Sequence, residues 1–291
     1  MKGAYLRMHS AILLWGFTGV LGKFIRLNEG MLVWYRMLIS AFVLFLVLLW
    51  RKSLPKLPSK KWIQLSAIGV VVMIHWVAFY GSIKLSSISV AMICLSSTAL
   101  FASLLEPLMN RKKFDFTEIL FSILAVVGIS FIYFSDVSAS TGILVGIFSA
   151  MLSAVFNILN QRIASDHEPL TISFIELGAG WLALTILLPI YIHIQPTTYF
   201  LPDMKDWFYL MILSIFCTVL TWILSLQALR KVSAYTMALS MNLEPVYGIL
   251  LAILFANEGK VINGGFLTGA AIILTTVILH TWHRYKRSKM A

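Results

Sequence analysis

One carboxylate stands where a carboxylate is costly. Residues Lys231 to Asn257, KVSAYTMALSMNLEPVYGILLAILFAN, read as a single apolar helix with Glu244 at its middle and Pro245 directly after it. A charge at that depth persists when it faces a cavity or a partner inside a bundle. Glu244 could bind a cationic group, take up a proton during turnover, or pair with a basic residue. Asn242 lies beside it. Pro245, which lacks an N–H, is expected to kink the helix and free a carbonyl one turn earlier. His75, Trp76 and Tyr80 form a second group, at the middle of another apolar run. A histidine titrates near neutral pH, and an indole or phenol supplies an apolar wall with a donor. The bland alternative is a hydrogen-bonded core histidine among packing aromatics. A third group sets Lys23 and Arg36, in the outer halves of the first two apolar runs, against Glu176 with Asn157, Asn160 and Gln161. These are candidate gates or coupling residues, or charges that snorkel to an interface.

The elements that position these groups follow from composition. The chain is 59% hydrophobic and 12% charged. Soluble domains lie nearer ~45–50% and ~25%, so a polytopic, all-α membrane protein in a lipid bilayer is expected. Ten apolar segments of spanning length run about 7–26, 31–50, 63–84, 88–109, 116–135, 140–162, 170–193, 207–228, 233–256 and 262–282. The net charge of +11 lies in short loops, which argues for membrane orientation and against nucleic acid. With a cytoplasmic N-terminus, 17 Lys and Arg fall inside and 5 outside, Arg36 lying within a span. Both termini are therefore expected on the cytoplasmic side of the inner membrane. The N-terminal run lacks a small-residue cleavage site and reads as a retained first helix. Cys94 and Cys217 lie inside apolar spans, without metal-type spacing. No metal site is expected, although His280 and His283 are three apart.

A faint repeat divides the chain. With a shift of 147, Lys84 meets Lys231, Ser86 meets Ser233, Ala91 meets Ala238 and Leu104 meets Leu251. Ser97 then stands opposite Glu244, inside Ser96-Ser97-Thr98, where the alternative is back-bonding to the helix's own carbonyls. A shift near 139 sets Trp15 against Ala154. Five helices per copy is an odd number, so the second copy is inverted. The expected division is 1–137 and 138–291, and inverted repeats of this kind belong to secondary transporters with a midplane substrate site.

The second half closes with NLEPVYGILLAILFANE at 242–258, after ALRKVSA at 228–234, and its last helix carries Gly265 and Gly269. This resembles the repeat signature of the EamA-type transporters of the drug/metabolite transporter superfamily, with Pro245 and Glu258 at the motif's proline and glutamate. In the first half the same spacing places Thr98 and Arg111 there, so the glutamate's role does not carry over to that copy. The resemblance implies a basket of ten helices around a central cavity, alternating access, and export of small metabolites such as amino acids. The expected cavity set is Glu244, Asn242, Ser97, His75, Trp76, Tyr80, Trp15 and Asn157; the expected gate or coupling set is Glu244, His75, Glu176, Lys23 and Arg36. Import or exchange is the alternative direction. An intramembrane enzyme or a channel is the alternative class, and the chain lacks a zincin pair and a nucleotide loop. No cofactor is expected, a small molecule is the expected substrate, and a monomer or weak homodimer the expected assembly.

Overall fold

The computed structural model describes the chain apart from residues 1, 112–113, 115, 136–138, 164–166, 230–239, 241–242 and 291. The described residues form helices and no strand. In order these are α1 (Lys2–Phe24), α2 (Glu29–Trp50), α3 (Ser59–Leu85), α4 (Ile88–Ser96), α5 (Thr98–Asn110), α6 (Phe116–Ser135), α7 (Ser140–Ile163) and α8 (Pro169–Ile194). They continue with α9 (Met204–Met211), a π-helical stretch (Ile212–Leu220), α10 (Thr221–Leu229), α11 (Glu244–Ala256), a 3₁₀ turn (Glu258–Val261) and α12 (Gly264–Met290).

Five helices are long and apolar enough to cross a bilayer: Glu29–Trp50, Ser59–Leu85, Ser140–Asn160, Pro169–Ile194 and Met204–Ser225. They coincide with the expected segments at 31–50, 63–84, 140–162, 170–193 and 207–228. The expected span 88–109 is instead two helices, broken at Ser97 and bent by 41°. Much of the expected span 233–256 lies outside the described residues.

Local chemistry starts and stops these helices. Asn28 caps α2 by accepting from the Met31 N–H at 2.8 Å, Ser87 caps α4 through Val90, and Asp203 caps α9 through Asp206. Pro169 opens α8 at a position whose N–H would be unused in any case. Arg111 after α5 and Asn257 after α11 both adopt the left-handed conformation, at φ 52° and 55°. Asparagine tolerates that conformation and is a common helix terminator.

α3 is the centre of packing, lying against α7 on one side and α8 on the other, while α2 also packs on α8. The approach to α8 is close. A Cβ at Gly69 would stand 2.1 Å from the Glu176 backbone oxygen, and one at Gly180 would stand 2.7 Å from the Gly69 oxygen. The outside of the bundle is apolar: on α8, Leu182, Ile186, Ile190 and Ile194 recur every four residues and are 56%, 75%, 61% and 68% exposed. Such a stripe is costly in water and favourable against lipid tails.

Polar contacts define two ends of the bundle. At one end Arg26 pairs with Asp203 at 3.1 Å, the Arg26 backbone N–H donates to Asp206, and Lys84 donates to the carbonyls of Ile25 and Leu27. Tyr191 donates to Glu29 at the same end. At the other end Arg51 faces Glu168 at 3.7 Å, and Arg162 holds Met109 and Asn110.

Candidate functional site

Arg36 is the centre of the site. The sequence placed it with Lys23 as an outer pair, and the structure separates the two. Lys23 is exposed on α1, whereas Arg36 is 3% exposed inside the bundle. Its guanidinium carbon lies 3.7 Å from the centroid of the Trp76 ring, and the positive charge is favoured by the negative π face. Nη1 donates to the Tyr80 hydroxyl at 2.7 Å and Nε donates to Thr218 Oγ1 at 3.0 Å. No carboxylate lies within ion-pair distance of Arg36 among the described residues. The Tyr80 ring, fully buried, fills the space beside Gly22 of α1, where a Cβ would meet it at 2.2 Å. Tyr80 is thus pinned by α1 and its hydroxyl aimed at Arg36.

Thr218 was not among the residues singled out from the sequence. It belongs to ILSIFCTVL, which offers no chemical signal, and its role comes from the π-helical winding of Ile212–Leu220. Thr218 Oγ1 donates to the Leu213 carbonyl, five residues back, at 2.9 Å, and turns a lone pair to Arg36. Ser40 of α2 donates to the Ser214 carbonyl in the same stretch at 3.3 Å. π-helical turns are uncommon and gather at functional sites.

Glu244 occupies a different position from the expected one. Leu243 is a turn and α11 begins at Glu244, so the carboxylate sits at a helix N-terminus. Pro245 does not kink a described helix; it opens α11, where its missing N–H costs nothing. An anionic side chain at that end is favoured by the helix dipole. Glu244 makes no ion pair with Arg36 among the described residues. α5 and α11 begin at Thr98 and Glu244 and end before Arg111 and Asn257, 146 residues apart in each case. By helix start Glu244 matches Thr98, the neighbour of Ser97. Ser97 uses its hydroxyl on the Cys94 carbonyl at 2.5 Å. The Thr98 hydroxyl is buried without a partner. Asn242 lies outside the described residues.

The remaining expected residues, His75, Glu176, Asn157 and Trp15, each have partners of their own. His75 is 7% exposed, and its Nδ1 lies 2.9 Å from the Ser149 carbonyl. A carbonyl only accepts, so Nδ1 carries the proton. Ser149 Oγ donates back to the His75 carbonyl at 3.1 Å, and Phe156 stacks on the imidazole. Glu176 is 1% exposed and accepts from Asn160 Nδ2 at 3.3 Å, with its other oxygen unpartnered. Asn157 donates to Ser153 at 3.4 Å, and Trp15 meets Trp222 edge to face at 6.4 Å.

Glu258, the glutamate of the motif, is 6% exposed. Its two oxygens accept from the N–H groups of Ile88 and Ser89, both at 2.8 Å, and from Ser89 Oγ at 2.9 Å. It caps α4 from the far half of the chain. The sequence marked the residue through the motif, but nothing local showed its partner 169 and 170 positions away.

A bundle with a lipid-compatible surface and a buried, polar, incompletely paired interior is that of a polytopic membrane transporter. The EamA-like transporter family model matches this chain twice, at residues 2–134 and 140–282. The chain belongs to the EamA-like transporter family. It is 25% identical over 293 residues to an uncharacterized transporter of Archaeoglobus fulgidus, covering 95% of this chain and 98% of that one. It is 24% identical over 267 residues to the uncharacterized transporter YxxF of Bacillus subtilis, covering 87% and 81%. A solved crystal structure, titled only as that of a protein, shares the fold with a TM-score of 0.65 at 16% identity, over 98% of this chain and 99% of that one.

Proposed function

We propose that the protein is a secondary transporter that exports small metabolites such as amino acids across the cytoplasmic membrane by alternating access. The proposal includes ten spans arranged as two inverted five-helix repeats, residues 1–137 and 138–291, with both termini cytoplasmic. One observation carries it: the buried polar contacts bridge the two halves. Arg36 to Thr218, Ser40 to Ser214, His75 to Ser149 and Glu258 to Ile88 and Ser89 each join one half to the other. Interactions of this kind are remade when two halves rock about a midplane site. The equal length of α5 and α11 and their matching left-handed ends support the repeat. Arg26 with Asp203 and Arg51 with Glu168 lie at opposite ends of the bundle, and the excess of Lys and Arg on the Arg51 side supports the cytoplasmic assignment of that end. Glu244 and His75 are the proposed coupling residues, and Trp76 and Tyr80 the proposed wall of the substrate site.

Counterflow of labelled amino acids in proteoliposomes, with and without a pH gradient, tests this reading. Saturable exchange is expected, and Glu244→Gln is expected to abolish its response to the gradient. A non-saturating conductance in planar bilayers would make the protein a channel. Reporters fused at the C-terminus and after Asp203 test the orientation, with only the latter expected outside.

A further inference from the structure

We infer that Arg36 is the docking point for a carboxylate on the transported molecule, which makes the substrate class a carboxylate-bearing metabolite rather than a simple amine. The inference rests on the transporter reading above and names what that site recognises.

A guanidinium has five N–H donors in a flat fork. Arg36 uses Nε on Thr218 and Nη1 on Tyr80, both uncharged acceptors. Nη2 has no protein acceptor among the described residues. A buried cation with spare donors is an expensive arrangement unless an anion completes it. No carboxylate of this chain does so in the described structure. Glu29 is held by Tyr191, Glu168 by Arg51, Glu176 by Asn160, Asp203 by Arg26, Asp206 by Tyr199 and Glu258 by α4.

The side chains around Arg36 fix its orientation. Trp76 covers one face of the guanidinium plane, so further ligands approach in the plane, where the donors point. In-plane approach to two adjacent N–H groups is the geometry of a bidentate carboxylate. A molecule carrying a carboxylate satisfies Arg36 with that group. Trp76 and the Tyr80 ring supply apolar surface to the rest of it. A simple amine would leave Arg36 unpaired and add a like charge.

The test uses purified full-length protein and three matched panels: the proteinogenic amino acids, their α-carboxamides and their decarboxylated amines. Binding is read by ligand-induced thermal shift and transport by counterflow. The expected result is that the carboxylates bind and the amides and amines of the same side chains bind at least about tenfold more weakly, the worth of a charge-assisted hydrogen bond. Arg36→Gln is expected to erase that preference. Arg36→Lys keeps the charge, guards against loss of folding, and is expected to retain the preference at reduced affinity. Amides or amines that bind as well as the parent amino acids would overturn the inference while leaving the transporter reading intact. So would an unchanged carboxylate preference in Arg36→Gln. Failure of every panel to bind or to exchange would overturn the amino-acid reading, and this inference with it.

Discussion

Removing the Glu258 carboxylate should loosen the contact between the two halves of the chain. Glu258 satisfies the first two N–H groups of α4, and Ser87 satisfies the third. Glu258→Ala leaves the Ile88 and Ser89 donors without acceptors in a buried position. Each such donor costs about 1–3 kcal/mol, so the pair costs about 2–6 kcal/mol. At about 2–4 °C of midpoint per kcal/mol, the value for domains of roughly 150–250 residues, the expected fall is about 4–24 °C. Glu258→Gln keeps one acceptor oxygen and should lose roughly half as much. The assay is thermal unfolding in detergent, followed by the fluorescence of the nine tryptophans. A midpoint for Glu258→Ala within about 2 °C of wild type would refute the claim that this cap stabilises the protein. Ser89→Ala, which removes only the hydroxyl contact, should fall less than either.

Other expectations follow from single contacts. Gly69→Ala drives a Cβ to 2.1 Å from the Glu176 backbone oxygen and should cost about 3 kcal/mol or more, read as lost monodispersity on size exclusion. Gly178→Ala, with nothing within 4 Å, should be silent in the same assay. Thr218→Val removes the acceptor of Arg36 Nε and should lower stability by about 1–3 kcal/mol, whereas Thr218→Ser should restore it, both by thermal unfolding. The Asp203 carboxyl is held below the usual range, first because it accepts the Asp206 N–H and further by Arg26. Its stabilising contribution is therefore present above the unfolded value of about 3.9 and lost as pH falls through the lower folded value. Asp203→Asn should lower the midpoint at pH 7, and the difference should vanish at a pH below that folded value.

How much was legible in the sequence depended on the range of the cause. The five helices long and apolar enough to cross a bilayer showed in composition, because about twenty apolar residues in a row have few other outcomes in a bilayer. The aromatic pair Trp76 and Tyr80 was found because it is polar-tipped and deep within an apolar run. The break at Ser97 was not found. SST carries no proline or glycine to mark it; the two helices on either side both pack on α7. Glu244 was picked out for its cost, yet its place at a helix start was hidden by the uninterrupted hydropathy on either side. Arg36 was read with Lys23 as an outer-half pair, a gate or a snorkelling charge; what surrounds it is Trp76, Tyr80 and Thr218, three partners from two distant segments. Thr218 itself depends on a winding that no propensity scale encodes.

That winding has a consequence for how the helix from Met204 to Leu229 tolerates change. A π stretch holds its bonds five residues back, so Ile212–Leu220 carries more chain per turn than the α-helix on either side. Substitutions there alter a side chain and leave the phase alone. A one-residue deletion would let the stretch relax to regular α-helix; the residues beyond it, the inward-facing Ser225 and Ala228 among them, would stay close to their present phase, while the wide turn that brings Thr218 to Arg36 would be lost. The segment is in effect a counted spacer: its length is under tighter constraint than its letters.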